Sequence, residues 1–287
     1  MGRKFAILGG DMRSAVLSDL LKADGNEVML FGFDKLGQYR EEDRSLEDVI
    51  ADAQFVIGPL PFSDTNEKID TPFYTGEILV EDVLELLNKS QLFMGGKIND
   101  NIIDKAIDKK IKMADYFARE EMQVLNAIPT AEGAIQIAME EMRITLHGSN
   151  AMVLGYGRIG KALSKALYGI GANVYAAARN YGDLAWIRNN NYTSVNISTL
   201  QSDISKMDVI FNTIPQMILN GELLNYIDKN CVIIDLASKP GGVDKSSAEK
   251  LKLNTISASG LPGKVAPITA AKVIKDTIYN IIEELEV

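Results

Sequence analysis

The sequence predicts an α/β protein with two doubly wound parallel-sheet domains, Rossmann-like in plan, joined by an interdomain helix. Three observations predict this. In both halves of the chain, apolar runs of strand length alternate with stretches of helical periodicity. In the second half, a Gly-x-Gly-x-x-Gly turn sits between such a run and such a helix. Between the halves, Pro129 suits a first helical turn, and apolar residues follow at Ile135, Ile137, Ala138, Met142 and Leu146. At 287 residues the chain is long enough for two cores. The expected domains are residues 1–127 (substrate side), a connecting helix over 128–148, and residues 149–266 (nucleotide-binding). A C-terminal helix, 267–287, is expected to pack back on the first domain.

In the first half, residues 4–8 read as a strand ending at Gly9-Gly10, and 12–23 as a helix stopped at Gly25. Strands follow at 27–33, 54–58 and 91–94, with a short one near 112–115. Helices are expected over 81–88 and 100–109, after a long loop broken by Pro59, Pro61 and Pro72. In the second half, Ala151 to Leu154 reads as a buried parallel strand and leads into Gly155-Tyr156-Gly157-Arg158-Ile159-Gly160. A helix runs from there to Gly171, followed by strands at 173–178, near 192–197, and at 209–213, 232–235 and 254–257.

Composition narrows the function classes. The net charge of −9 argues against a nucleic-acid partner, because an acidic surface repels phosphate. No apolar run approaches the ~20 residues of a membrane span, and Met1-Gly-Arg-Lys-Phe leads straight into a strand, so a cytoplasmic protein is expected. One cysteine, Cys231, excludes an intrachain disulfide and reads as a strand-start residue. With a single histidine beside it, no metal site is expected.

The glycine turn carries the chemistry. Gly155 permits the tight turn, Gly157 lets the backbone approach a pyrophosphate, and Gly160 lets helix and strand pack closely. At the end of the next strand, where an acid would hold the ribose of NAD, stand Arg179 and Asn180. A guanidinium attracts a 2′-phosphate, so NADP is expected over NAD. Tyr156, Arg158 and Ile159 complete the turn, and later strand ends add Thr213, Ile214 and Pro215, then Leu236, Ala237 and Ser238, with Pro262 beyond the last strand.

Substrate-side candidates are less distinctive. Asp11 and Arg13 follow the first strand, where α/β sheets place ligands; Arg13 pairs with an anionic substrate, or Asp11 merely caps the helix. Gly9-Gly10-Asp11 is not read as a second dinucleotide site, because a carboxylate there repels phosphate. Thr130 and Glu132 are expected near the cleft, with Glu132 a proton acceptor or a first-turn carboxylate complementing the helix dipole. His147 is expected to end the connecting helix, as a proton acceptor or as a partner of its last carbonyls. Ser149 follows it, and Lys239 offers a cation for a carboxylate.

Several motifs together resemble the family of the dipicolinate synthase A subunit. They are Gly9-Gly-Asp-Met-Arg13, Gly32-Phe-Asp34, Ile128-Pro-Thr-Ala-Glu-Gly133, His147-Gly-Ser149 and Val153-Leu-Gly-Tyr-Gly-Arg-Ile-Gly160. Asn212-Thr-Ile-Pro215, Met217-Ile-Leu-Asn220, Leu236-Ala-Ser-Lys-Pro-Gly-Gly242 and Gly260-Leu-Pro-Gly-Lys-Val-Ala-Pro267 continue the pattern in family order. The chain departs from it at Ala178, where Gly is expected, and at Lys239, where Arg is usual. The stretch from Leu60 to Ser90 adds nothing to the resemblance.

The resemblance implies NADP-dependent oxidation of dihydrodipicolinate to pyridine-2,6-dicarboxylate in the mother cell of a sporulating bacterium, alongside the B subunit of dipicolinate synthase. Arg13 and Lys239 would hold the carboxylates of this small diacid, with Glu132 or His147 accepting a proton. A homo-oligomer is also expected. Two other classes stay open: a 2-hydroxyacid or amino-acid dehydrogenase-like enzyme, and a non-catalytic NADP-binding member of a two-subunit synthase.

Overall fold

The computed structural model describes residues 2–39, 44–238 and 240–286. It divides into two compact units, Met1–Asn126 with Ala266–Val287, and Ala127–Val265. The first unit carries β1 (Lys4–Leu8), α1 (Met12–Ala23), β2 (Glu27–Phe31), α2 (Leu46–Ala51), β3 (Phe55–Ile57), α3 (Val80–Leu86), β4 (Leu92–Gly95), α4 (Asp100–Asp108) and β5 (Lys112–Asp115). Helix α5 (Glu120–Glu141) begins in this unit and ends in the second. The second unit continues with β6 (Asn150–Leu154), α6 (Arg158–Ile170), β7 (Asn173–Ala178), α7 (Tyr181–Asn189), β8 (Thr193–Asn196), α8 (Gln201–Ile204) and β9 (Val209–Asn212). It closes with α9 (Gly221–Leu224), β10 (Val232–Asp235), α10 (Lys245–Lys250), β11 (Asn254–Ser257) and α11 (Leu261–Val265). The last helix, α12 (Pro267–Glu284), belongs to the first unit.

Among the described residues each unit has one all-parallel sheet, ordered β2-β1-β3-β4-β5 in the first and β11-β10-β9-β6-β7-β8 in the second. Parallel strands are covered on both faces, so they read as apolar runs; β6, β9 and β10 are buried along nearly their whole length. In both orders the sheet switches direction beside its first strand, between β1 and β3 and between β6 and β9. Ligands of open α/β sheets enter at such switch points, outside the carboxyl ends of the strands. Helix α12 packs along α1, burying Ala271, Ile274, Ile278, Ile281 and Ile282; full burial of each isoleucine contributes about 1.5–3 kcal/mol.

The connecting helix differs from expectation. Pro129 does not start it but lies in its interior, so its missing N–H removes one bond of the helical ladder. Gly133, a turn later, admits α11: a Cβ there would lie 3.1 Å from Leu261 Cβ and 3.2 Å from Val265 Cγ2. The helix ends at Glu141, ahead of Leu146 and His147.

Candidate functional site

In the second unit, the glycine turn joins β6 to α6 at the switch point. Gly155 adopts φ +97°, a conformation L side chains rarely take, and its N–H donates to Ala177 O at 2.9 Å. A Cβ on Gly155 would meet Thr213 Oγ1 at 2.5 Å, because Thr213 is held under the turn by two bonds to Leu154 O, from its N–H (2.9 Å) and its hydroxyl (2.8 Å). A Cβ on Gly160 would lie 2.0 Å from Gly155 O, so only glycine lets the helix sit this close to the strand. At Gly157, the N-cap of α6, no side chain caps the helix and a Cβ would meet open space. The first-turn N–H groups and the positive end of the helix dipole are therefore left for an anion. These residues fit the pyrophosphate of a nicotinamide dinucleotide.

Around the turn, Arg158, Arg179, Asn180, Pro215 and Ser238 are exposed, while Ile159, Thr213, Ile214 and Ala237 are half-buried. Tyr156 turns into the core, where Lys161 lies 5.7 Å from its ring centroid and burial raises its phenol pKa, so only its backbone belongs to the turn. Asn180 caps α7, its Oδ1 accepting the Asp183 N–H at 2.6 Å, which leaves Arg179 as the side chain at this strand end suited to a 2′-phosphate. Leu236 is buried, and so is Pro262 in α11.

Sequence reasoning missed a pair of buried residues that shapes the loops after β9 and β10. Asn212 and Asp235 are register partners at the ends of these strands. The Asn212 amide donates to Asp235 Oδ1 at 2.8 Å and to Ile214 O at 3.1 Å, and Asn212 Oδ1 accepts the Ile214 N–H. The Asp235 carboxylate also accepts N–H bonds from Ala237 (3.3 Å) and Gly242 (3.2 Å). One amide and one carboxylate thus fix both strand-end loops. The available signal was a polar residue ending each of two neighbouring apolar runs.

The first unit's switch point is built differently. Asp11 caps α1, accepting the Arg13 N–H at 2.9 Å, and the Arg13 guanidinium forks back onto the Asp11 carboxylate at 2.9 and 2.8 Å. Arg13 is 7% exposed and its Nη2 also donates to Leu60 O, tying the ends of β1 and β3 together. Its charge is balanced by Asp11 before any ligand arrives. Tyr116 closes the floor, its hydroxyl donating to Gly58 O at 3.1 Å.

Three further candidates move. His147 lies in a turn after α5 and against Gly171, where a Cβ would sit 2.5 Å from its ring. Gly171 is the C-cap of the 13-residue α6, about 20 Å along that helix from the glycine turn. Ser149 is buried beside it, donating to Leu146 O at 2.8 Å. Both residues precede β6 at its amino end, so proton transfer by His147 and substrate binding by Ser149 at the turn are withdrawn. Glu132 is exposed in the interior of α5, not in a first turn, so it does not complement the helix dipole; Thr130 is buried there. Lys239 lies outside the described residues. Among the described residues no His, Cys, Asp and Glu group is placed to hold a metal, and no helix is long and apolar enough to cross a membrane.

Comparison with known proteins agrees in both units. Residues 4–117 match the family model of the N-terminal domain of the dipicolinate synthase A subunit. Residues 116–261 match "D-isomer specific 2-hydroxyacid dehydrogenase, NAD binding domain". The chain is 32% identical over 289 residues to the dipicolinate synthase A subunit of Bacillus subtilis, covering 99% of this chain and 97% of that protein. The crystal structure of the Bacillus halodurans A subunit matches with TM-score 0.88 and 29% identity, covering 98% of each chain. Escherichia coli D-lactate dehydrogenase shares the fold alone, at 17% identity and TM-score 0.63, over 99% of this chain and 96% of that one.

Proposed function

The chain belongs to the family of the dipicolinate synthase A subunit, and from that premise we propose that it oxidises dihydrodipicolinate to pyridine-2,6-dicarboxylate with NADP. An oxidoreductase with a nicotinamide dinucleotide site follows from the family and its NAD-binding domain. The observation that carries the reading is the uncapped N-terminus of α6 at Gly157, directly after a turn that only glycine can make. The bound nicotinamide supplies the hydride acceptor. The chain's own part is to hold the ring in place; aromatisation of the product provides driving force, so orientation is the main demand.

In this reading the α6 N-terminus takes the pyrophosphate and Arg179 the 2′-phosphate, which selects NADP. Asn212 and Asp235 hold the loops carrying Ile214, Pro215, Ala237 and Ser238 in the shape the nicotinamide end needs. Arg13 takes a substrate carboxylate, with Lys239 proposed for the other, and Glu132 is the remaining candidate proton acceptor. A 2-hydroxyacid dehydrogenase working through a histidine is disfavoured, because the single histidine sits at the amino end of β6. We place the protein in the cytoplasm of a sporulating mother cell, partnered by the synthase's B subunit.

The test is turnover of the isolated chain with NADP and dihydrodipicolinate, with and without the B subunit, followed by the absorbance of the pyridine product. Product formation by the chain alone supports the reading. NADP binding without turnover, restored by the B subunit, would make this chain the cofactor-bearing half of the synthase.

A further inference from the structure

We propose that Gly242 is a positioning residue for hydride transfer: its backbone joins the loops after β9 and β10 into one body that places the nicotinamide, and so governs turnover rather than nucleotide affinity. This deepens the reading above and rests on NADP lying along the carboxyl end of the second sheet.

The direction of the nucleotide follows from the strand order. β7 lies on one side of β6, and β9 then β10 on the other. With the pyrophosphate at the β6 turn and the 2′-phosphate at Arg179 after β7, the adenosine half covers β7. The nicotinamide half then runs the opposite way, over the ends of β9 and β10. The loops there are residues 213–219 and 236–243, and the Gly241-Gly242 pair lies at the close of the second.

Gly242 is where these loops meet. Its N–H donates to Asp235 Oδ2 at 3.2 Å, and its carbonyl accepts two N–H groups of the other loop, from Ile218 (3.0 Å) and Leu219 (2.9 Å). Leu219 and Val243 then form a parallel bridge, and the Asp244 N–H donates to Leu219 O at 2.9 Å. The space is full: a Cβ on Gly242 would strike the Asn212 amide and lie 2.6 Å from Ile214 O and 2.8 Å from Gln216 O. Gly241 adopts φ +88°, and a Cβ there would lie 2.7 Å from Asp235 Oδ2.

The contacts continue to the glycine turn. Ile214, whose carbonyl lies against Gly242, also sits beneath Gly155, where a Cβ would be 2.9 Å from its Cγ1. Turn, β9 loop and β10 loop therefore interlock through backbone and through Asn212 and Asp235, both buried. A body built this way needs no rearrangement at the hydride-transfer step. The pyrophosphate and the 2′-phosphate are held at the α6 N-terminus and Arg179, so loosening the clasp leaves those binding contacts in place. What is lost is the placement of the ring, and a displacement of about 1 Å costs up to about a hundredfold in rate.

The test compares Gly242→Ala, which adds bulk to the clasp, with Asn212→Ala, which removes its amide, in the full chain with NADP, dihydrodipicolinate and the B subunit. Each should lower kcat by about ten- to a hundredfold and leave the NADP dissociation constant, read by calorimetry, near its native value. Each should also raise the primary isotope effect with substrate deuterated at the carbon that gives up the hydride, because a misplaced ring makes that transfer the slow step. Hydrogen exchange of the native chain needs no variant: the Ile218, Leu219 and Gly242 amides should be protected without nucleotide and stay so when NADP is added. Native kcat in either variant, NADP affinity falling in step with kcat, or fast exchange of these amides until NADP binds overturns the proposal alone. No oxidation of dihydrodipicolinate by the native chain, with or without the B subunit, sinks the substrate reading and this proposal with it.

Discussion

Each sheet's first strand ends in a glycine turn leading into a helix: Gly9-Gly10-Asp11 after β1, and Gly155-Tyr156-Gly157 after β6. After β6, the helix N-terminus is bare, and the glycines bring helix, strand and Thr213 into close contact beneath it. After β1, the N-terminus is filled by the chain's own Asp11, locked by Arg13, and Gly9 admits the Asp70 carbonyl and the Thr71 side chain instead of a phosphate. The same topology and the same glycine chemistry therefore make an anion site in one unit and a carboxylate-plugged turn in the other. What occupies the N-cap decides which.

The comparison can be broken most sharply at Gly160. Gly160→Val should weaken NADP binding more than about a hundredfold, because the new side chain meets backbone and the turn must open. Calorimetry reads this, with thermal melting to show that the unit remains folded; near-native affinity would remove the turn from the nucleotide site. Asp11→Ala comes next. Losing the cap and stranding the buried Arg13 should destabilise the first unit by about 2–3 kcal/mol in chemical denaturation. No nucleotide binding should appear there in exchange, since Asp70 and Thr71 still cover the glycines.

Gly157→Asp would make the second turn imitate the first. A carboxylate facing the pyrophosphate should weaken NADP and NAD alike by about ten- to thirtyfold, while the fold holds because the site is open. Arg179→Ala should reduce NADP affinity by about tenfold and leave NAD nearly unchanged; equal loss for both would assign Arg179 to another part of the nucleotide. The smallest effect belongs to Cys231, which lies in neither turn. Burial, then Asp208 and Asp228, push its thiol up to about 12, so thiol reagents should leave the native protein unmodified near neutral pH, as mass spectrometry would show.

Local pattern was enough for elements whose environment is uniform. β1, α1, β6, β7 and β10 were readable because a doubly covered parallel strand must be apolar and a cap must be polar. Helix α5 was misread, since Pro129 and Gly133 are poor interior residues by propensity; contact with α11 makes Gly133 useful there. The nucleotide turn was legible because its residues are adjacent in sequence and its glycines act through the backbone.

What the sequence determined alone is the run of strands and helices, the glycine turn and the acidic, disulfide-free character of the chain. Only the tertiary structure decided which candidates share a strand end. It placed His147 and Ser149 at the wrong end of β6, joined Asn212 to Asp235 across neighbouring strands, and laid Asp70 over the Gly9-Gly10 turn. These pairings depend on parallel register and on a loop returning over the sheet, and such contacts between residues distant in sequence leave no period or spacing to read.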